Sequence, residues 1–163
     1  MKRNQFNIIV ISLISGIIGS TITFYFITKK KDEENKLLKR KEDKFRKYYQ
    51  LTNEWLLLKG QKKSIIDYML YMNYKKIAIY GMGELGNRLY EELENSSIQV
   101  LYAIDKYPEN NHSNLEFCEL STNIKKVDAI IVTPIFDYEV ISSEISDVVD
   151  YPVISLEDII FQR

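Results

Sequence analysis

From Asn4 to Thr28 the chain carries no charged residue, and residues 7–28, NIIVISLISGIIGSTITFYFIT, are almost wholly apolar or small. At about 1.5 Å of rise per residue, about 20 such positions cross a bilayer core as a helix. The pattern predicts a membrane anchor over residues 1–28, in contact with lipid through 6–28. A cleaved signal peptide has an apolar region of only about 7–15 residues before a small-residue cleavage site. Here apolar character continues through Phe24, Tyr25, Phe26 and Ile27 until it meets Lys29-Lys30-Lys31. An uncleaved anchor fits that better.

The pattern then changes twice. Residues 30–59 contain no Gly or Pro and are rich in helix-forming Lys, Glu and Leu. Leu38, Phe45, Tyr48, Tyr49, Thr52, Trp55 and Leu56 fall near a three-four spacing, which predicts a helix that becomes more apolar toward Trp55. Its apolar end suits either packing on the domain that follows or pairing with a second copy. Gly60 fits a helix end, since glycine readily adopts the left-handed conformation. Ser64 with Asp67 makes a capping signal for SIIDYMLYM. These segments read as a basic juxtamembrane linker, 29–72.

From residue 73 the chain alternates short β-rich runs with helical ones. Strands are expected at 77–80 (IAIY), 99–105 (QVLYAID), weakly at 115–120 (LEFCEL), at 128–134 (DAIIVTP) and at 152–156 (PVISL). Helices are expected around NRLYEEL and DYEVISSEISDVV, and Ser155 with Asp158 suits a cap for a closing turn, LEDIIF. Strands that alternate with helices imply a parallel sheet with right-handed crossovers. The fold class expected for 73–163 is α/β, a Rossmann-like half-fold with strand order 3-2-1-4-5.

Charge sharpens this picture. The formal net charge is −1, but residues 1–72 hold 15 Lys+Arg against 7 Asp+Glu, whereas 73–163 hold 7 against 16. Lys29, Lys30, Lys31, Lys36, Lys39, Arg40 and Lys41 outnumber Lys2 and Arg3 across the apolar run. The excess of basic residues marks the cytoplasmic side, so a single-pass protein with a cytoplasmic C-terminal domain is expected. The basic stretch suits anionic headgroups. The acidic domain argues against a nucleic-acid partner. The single cysteine, Cys118, is consistent with a reducing compartment. Ser12, Gly16 and Ser20 recur at a four-residue spacing that lets two membrane helices approach closely. A homodimer is one reading of that stripe, and ordinary membrane-helix composition is the other.

The candidate chemistry lies in Gly81-Met82-Gly83-Glu84-Leu85-Gly86, between a strand and an amphipathic helix. Gly81 permits the tight turn, Gly83 a close approach of backbone to a diphosphate, and Gly86 the packing of helix on sheet. Amides at the helix start would bind phosphate oxygens. Asp105, nineteen residues after Gly86, lies where a carboxylate accepts hydrogen bonds from a ribose. Thr133 should sit beside the turn, reaching a ligand or merely ending a strand. Glu84 works against a ligand if it points inward and is harmless if it points outward. No catalytic residue and no metal ligand set can be named. His112 reads as a solvated loop residue, and the Tyr71/Lys75 and Tyr102/Lys106 pairs as coincidental spacing.

IAIYGMGELG, the strand ending at Asp105, VDAIIVTP and PVISLEDII together resemble the nucleotide-binding Rossmann-like domain of bacterial surface-polysaccharide proteins. Such domains precede the catalytic parts of membrane nucleotide-sugar epimerases, dehydratases and sugar acyltransferases, and are attached to some glycosyltransferases. The resemblance covers about residues 50–163. It implies a nucleotide, NAD(P) or nucleotide sugar held at Gly81, Met82, Gly83 and Gly86. With the sequence ending at Arg163 and no second half to supply catalysis, the expected role is an accessory one in cell-envelope polysaccharide synthesis, beside that pathway's enzymes. Two alternatives stay open: an NAD(P)-dependent oxidoreductase or epimerase completed by a partner chain, and a ligand-free membrane scaffold. Lys106 after Asp105 leaves NADP open as well as NAD.

Overall fold

A computed structural model describes residues 2–105 and 115–162, without the side chains of 2–18 and 20–22. Helix α1 runs from Lys2 to Gly60. The chain divides into two units, residues 1–47 and 48–163. The first is the earlier part of α1, where Arg46 pairs with Glu42 one turn back at 2.8 Å. Among the described residues no helix is long and apolar enough to cross a membrane. Most side chains of the expected anchor lie outside the described set, as do Lys106 and His112.

The second unit begins with the end of α1, followed by α2 (Ile65–Tyr71), β1 (Lys76–Tyr80), α3 (Glu84–Leu93), β2 (Gln99–Ile104), β3 (Ala129–Val132), α4 (Tyr138–Ser146), β4 (Val153–Ser155) and α5 (Leu156–Phe161). Among the described residues all strand pairs are parallel, in the order β2-β1-β3-β4. The chain is therefore an α/β protein with a four-stranded parallel sheet, an arrangement consistent with a Rossmann-like half-fold.

The expected five-strand order, 3-2-1-4-5, requires correction. Residues 115–120 form no strand and contribute only one parallel bridge, Ala103 to Phe117, beside β2. Two backbone hydrogen bonds carry it, Ala103 N–H to Glu116 C=O and Cys118 N–H to Ala103 C=O, each 2.9 Å. The reason is visible in the side chains. Leu115 and Phe117 share one face, but Glu119 occupies the next position on that face, so the alternation that fixes a strand's register fails there.

Alternation within the strands that do form divides the core in two. Ile77, Ile79, Ala129 and Ile131 face one side of the sheet, where they pack with Met69, Leu89, Leu93 and Ile159. Ala78, Tyr80, Ile130 and Val132 face the other, against Ile141 and Ile145 of α4. Strands buried on both faces read as continuous apolar runs, as parallel strands do. The first side also takes Leu51, Trp55 and Leu58 from the end of α1. Residues 48–60, within the expected linker, thus belong to the folded unit.

The local signals are realised with small shifts. Ser64 and Asp67 form a complete capping box at α2. Helix α1 does end at Gly60, but the left-handed residue is Lys62, with φ 57°. Ser155 caps α5 by accepting from the Glu157 amide at 3.2 Å rather than engaging Asp158. The Tyr102 phenol is pushed up to about 12, chiefly by burial, and it donates to the Lys125 carbonyl at 3.0 Å, a structural role.

At the far end of β1, opposite the glycine turn, Asp128 fastens two strands. Its carboxylate accepts from the amides of Lys75 and Lys76 at 2.8 and 2.7 Å, while its own amide donates to the Lys76 carbonyl at 2.6 Å. Those backbone hydrogen bonds, from Lys76 first and Lys75 second, hold the carboxyl below its ordinary value. A depressed carboxyl contributes stability above its unfolded-state value and loses it as pH falls through the folded one. Asp128→Ala should therefore cost about 1 kcal/mol at pH 7, a figure kept low because the side chain is exposed. The cost should shrink below about pH 4. Urea denaturation of wild type and variant at pH 7 and pH 3 checks this, and an undiminished difference at pH 3 would refute it.

Candidate functional site

The site is assembled at the ends of β1, β2 and β3. In the order β2-β1-β3-β4 the connection after β1 leads to β2 on one side, whereas the connection after its other neighbour, β3, leads to β4 on the opposite side. Such a topological switch point opens a crevice beyond the strand ends. A cavity of about 450 Å³ lies here. Tyr80, Gly81 and Gly83 border it from the turn, Asp105 from the end of β2, and Pro134 from beyond β3. Asp137, Val140, Ile141 and Glu144 close it from α4 and its approach.

Gly81 has φ +88°, a conformation L side chains rarely adopt, and a Cβ there would lie 2.7 Å from the Pro134 ring. Its amide donates to the Ile104 carbonyl at 2.8 Å, tying the turn to β2. Gly86 is required for a different reason. A Cβ on it would come within 2.1 Å of the Gly81 carbonyl oxygen, so only glycine lets α3 start this close to the turn. Gly83 differs from both. Its φ is −69°, open to any residue, and a Cβ there meets nothing within 4 Å. It caps α3 with no side-chain hydrogen bond. Ser or Asp would cap better. Of the three glycines, Gly83 alone is not explained by the protein's own packing, and it borders the cavity.

The other predicted residues divide by role. Met82 is buried in the core, and its amide donates to Asp105 Oδ2 at 2.5 Å. Asp105 thus reaches the turn, but as an acceptor for the protein's backbone. Leu85 packs against the core rather than toward the cavity. Thr133 is buried, and its hydroxyl donates to the carbonyls of Gly81 and Tyr80, fastening β3 to the turn. Glu84 is exposed and does not line the cavity, which is the outward arrangement. It lies near Tyr48 of α1, whose hydroxyl is pushed up by burial and then by the carboxylates of Asp137 and Glu84. The Tyr48 ring meets that of Phe136 at 5.8 Å between centroids.

Sequence reading missed Asp137, Val140 and Glu144. The usable signal was the α4 entry immediately after VTP, since the helix following the strand beyond a switch point must border the crevice. Among the described residues the cavity has three carboxylates at its border and no Lys or Arg. No cluster of metal-ligating side chains occurs among the described residues. A larger depression of about 540 Å³ lies along α2 and Gln162, with no strand end contributing to it.

Comparison of the chain with protein-family models, curated proteins and solved structures yields no match.

Proposed function

We propose that this protein binds a nucleotide or nucleotide sugar at the 81–86 turn, as a membrane-anchored accessory of cell-envelope polysaccharide synthesis. The observation that carries the binding reading is Gly83. Its missing side chain serves no contact within the protein, yet it leaves backbone exposed at the head of a switch-point cavity. The first-turn amides of a helix have no intrahelical acceptors, so ligand oxygens can take them. Support for the membrane and polysaccharide context comes from the uncharged 4–28 run, its basic flank and the resemblance of IAIYGMGELG and PVISLEDII.

A second reading, a scaffold with an empty turn, is favoured by one observation. Asp105 already accepts from the Met82 amide, so the residue expected to hold ribose is engaged in holding the turn. The two readings separate on Gly83→Ala. Gain from a less flexible unfolded chain and loss at the cap are each about 0.5–1 kcal/mol and nearly cancel. The variant should therefore match wild type in denaturant. Full-length protein in mild detergent should be stabilised by about 2.7 kcal/mol when a bound nucleotide is at 100 times its dissociation constant. Gly83→Ala should lose most of that gain. A panel of NAD, NADP, UDP-glucose and UDP that stabilises neither protein leaves the scaffold.

A further inference from the structure

The charge of the cavity bears on which ligand it takes, given that it takes one as proposed above. Asp105, Asp137 and Glu144 border it with no Lys or Arg among the described residues. The α3 N-terminus offers an anion roughly 0.3–1 kcal/mol. The exposed carboxylates of Asp137 and Glu144 each oppose a nearby negative charge by a similar amount, so the pair exceeds it. Repulsion therefore outweighs the helix end for each further charge. Carboxylates are, in contrast, strong acceptors for the hydroxyls of ribose or hexose. Val140 and Pro134 add apolar surface of the kind that covers a sugar or base face.

We infer that the cavity selects a hydroxyl-rich ligand of low charge, taking a nucleoside or a diphosphate diester such as an intact nucleotide sugar and rejecting a terminal phosphate. A free nucleoside diphosphate carries one more ionisation than the diester, with a second phosphate pKa of about 6. At pH 7.5 that added charge faces the exposed carboxylates of Asp137 and Glu144.

The test uses full-length protein in detergent, titrated calorimetrically with uridine, UDP and UDP-glucose, and with adenosine, ADP and ADP-ribose. In 20 mM salt the diester of the preferred series should bind about tenfold more tightly than the matching diphosphate, and the nucleoside no more weakly than the diphosphate. The gap should narrow to within about threefold in 0.5 M salt, where charges are screened over a few ångströms. It should narrow likewise in Asp137→Asn/Glu144→Gln. Both residues are exposed, Asp137 makes no side-chain cap to α4, and the amide oxygens still accept from hydroxyls. The variant should gain affinity for the diphosphate relative to its affinity for the nucleoside. A diphosphate that binds as tightly as its diester overturns the inference and leaves the site standing. So does a gap unmoved by salt and by the double variant. Absence of binding by all six ligands removes the binding reading itself, and this inference with it.

Discussion

Gly86→Ala is expected to destabilise the folded unit by about 3 kcal/mol, with a fall in Tm on the order of 10 °C. The new Cβ would sit 2.1 Å from the Gly81 carbonyl oxygen and 3.1 Å from its carbon. Neither contact can be relieved by a side-chain rotation, because both atoms belong to the backbone. Helix α3 would have to retreat, or the turn would have to move. The turn is held from three sides: Gly81 N–H to Ile104 C=O, Met82 N–H to Asp105 and the Thr133 hydroxyl on Gly81 C=O. Moving it therefore disturbs hydrogen bonds to β2 and β3 together, which places the cost at the upper end of the overpacking range. Urea denaturation of the full-length chain, followed by circular dichroism, measures it. A loss below about 1 kcal/mol would mean that the helix does not approach the turn this closely. Gly83→Ala, three residues earlier, serves as the internal contrast, because the same change there meets open space.

Trp55→Ala should cost slightly more, about 4 kcal/mol. The indole is 6% exposed and packs in the same core as Leu89 and Leu93 of α3. Its Nε1–H donates to Glu92 Oε2 at 2.8 Å, and Lys59 Nζ meets the same oxygen at 2.8 Å. The Glu92 side chain is only 9% exposed, so deleting the indole removes a donor from a buried carboxylate as well as opening a cavity. Trp55→Phe separates the two effects. It keeps most of the apolar volume and loses the donor, and should cost about 1–2 kcal/mol. With total stability of small domains at about 5–15 kcal/mol, Trp55→Ala consumes a large part of it. Equal costs for the two variants would assign the whole effect to the Glu92 hydrogen bond. A negligible cost for both would make residues 48–60 peripheral to the fold.

That second expectation concerns a segment whose sequence was ambiguous. The three-four spacing of Tyr48, Thr52, Trp55 and Leu56 specified a helix with an apolar side, but two occupants suited that side: the domain or another copy of the chain. In the folded unit the sides separate. Leu51, Trp55 and Leu58 are buried, whereas Tyr49 and Leu56 are 73% and 64% exposed. Local spacing alone could not sort these residues, because which arc of a helix is covered depends on what lies beside it.

The amino-acid sequence by itself determined the elements that rest on local physics. Alternating β-rich and helical runs, the capping box of Ser64 and Asp67, and the strand-turn-helix order around Gly81 each depend on neighbours within a few residues. Tertiary structure decided what depends on approach between distant segments. It separated the glycines by the atoms that a Cβ would meet, and engaged Asp105 with the Met82 amide and Thr133 with the Gly81 carbonyl. It reduced residues 115–120 to a single bridge beside β2. It also turned the question of charge from Glu84, which is exposed and outside the cavity, to Asp105, Asp137 and Glu144, which border it. Asp105 follows β2 whereas Asp137 and Glu144 belong to the start and body of α4, and they meet because the connections after β1 and β3 lead in opposite directions at the switch point. A sequence encodes each carboxylate, and packing alone decides that they share a cavity.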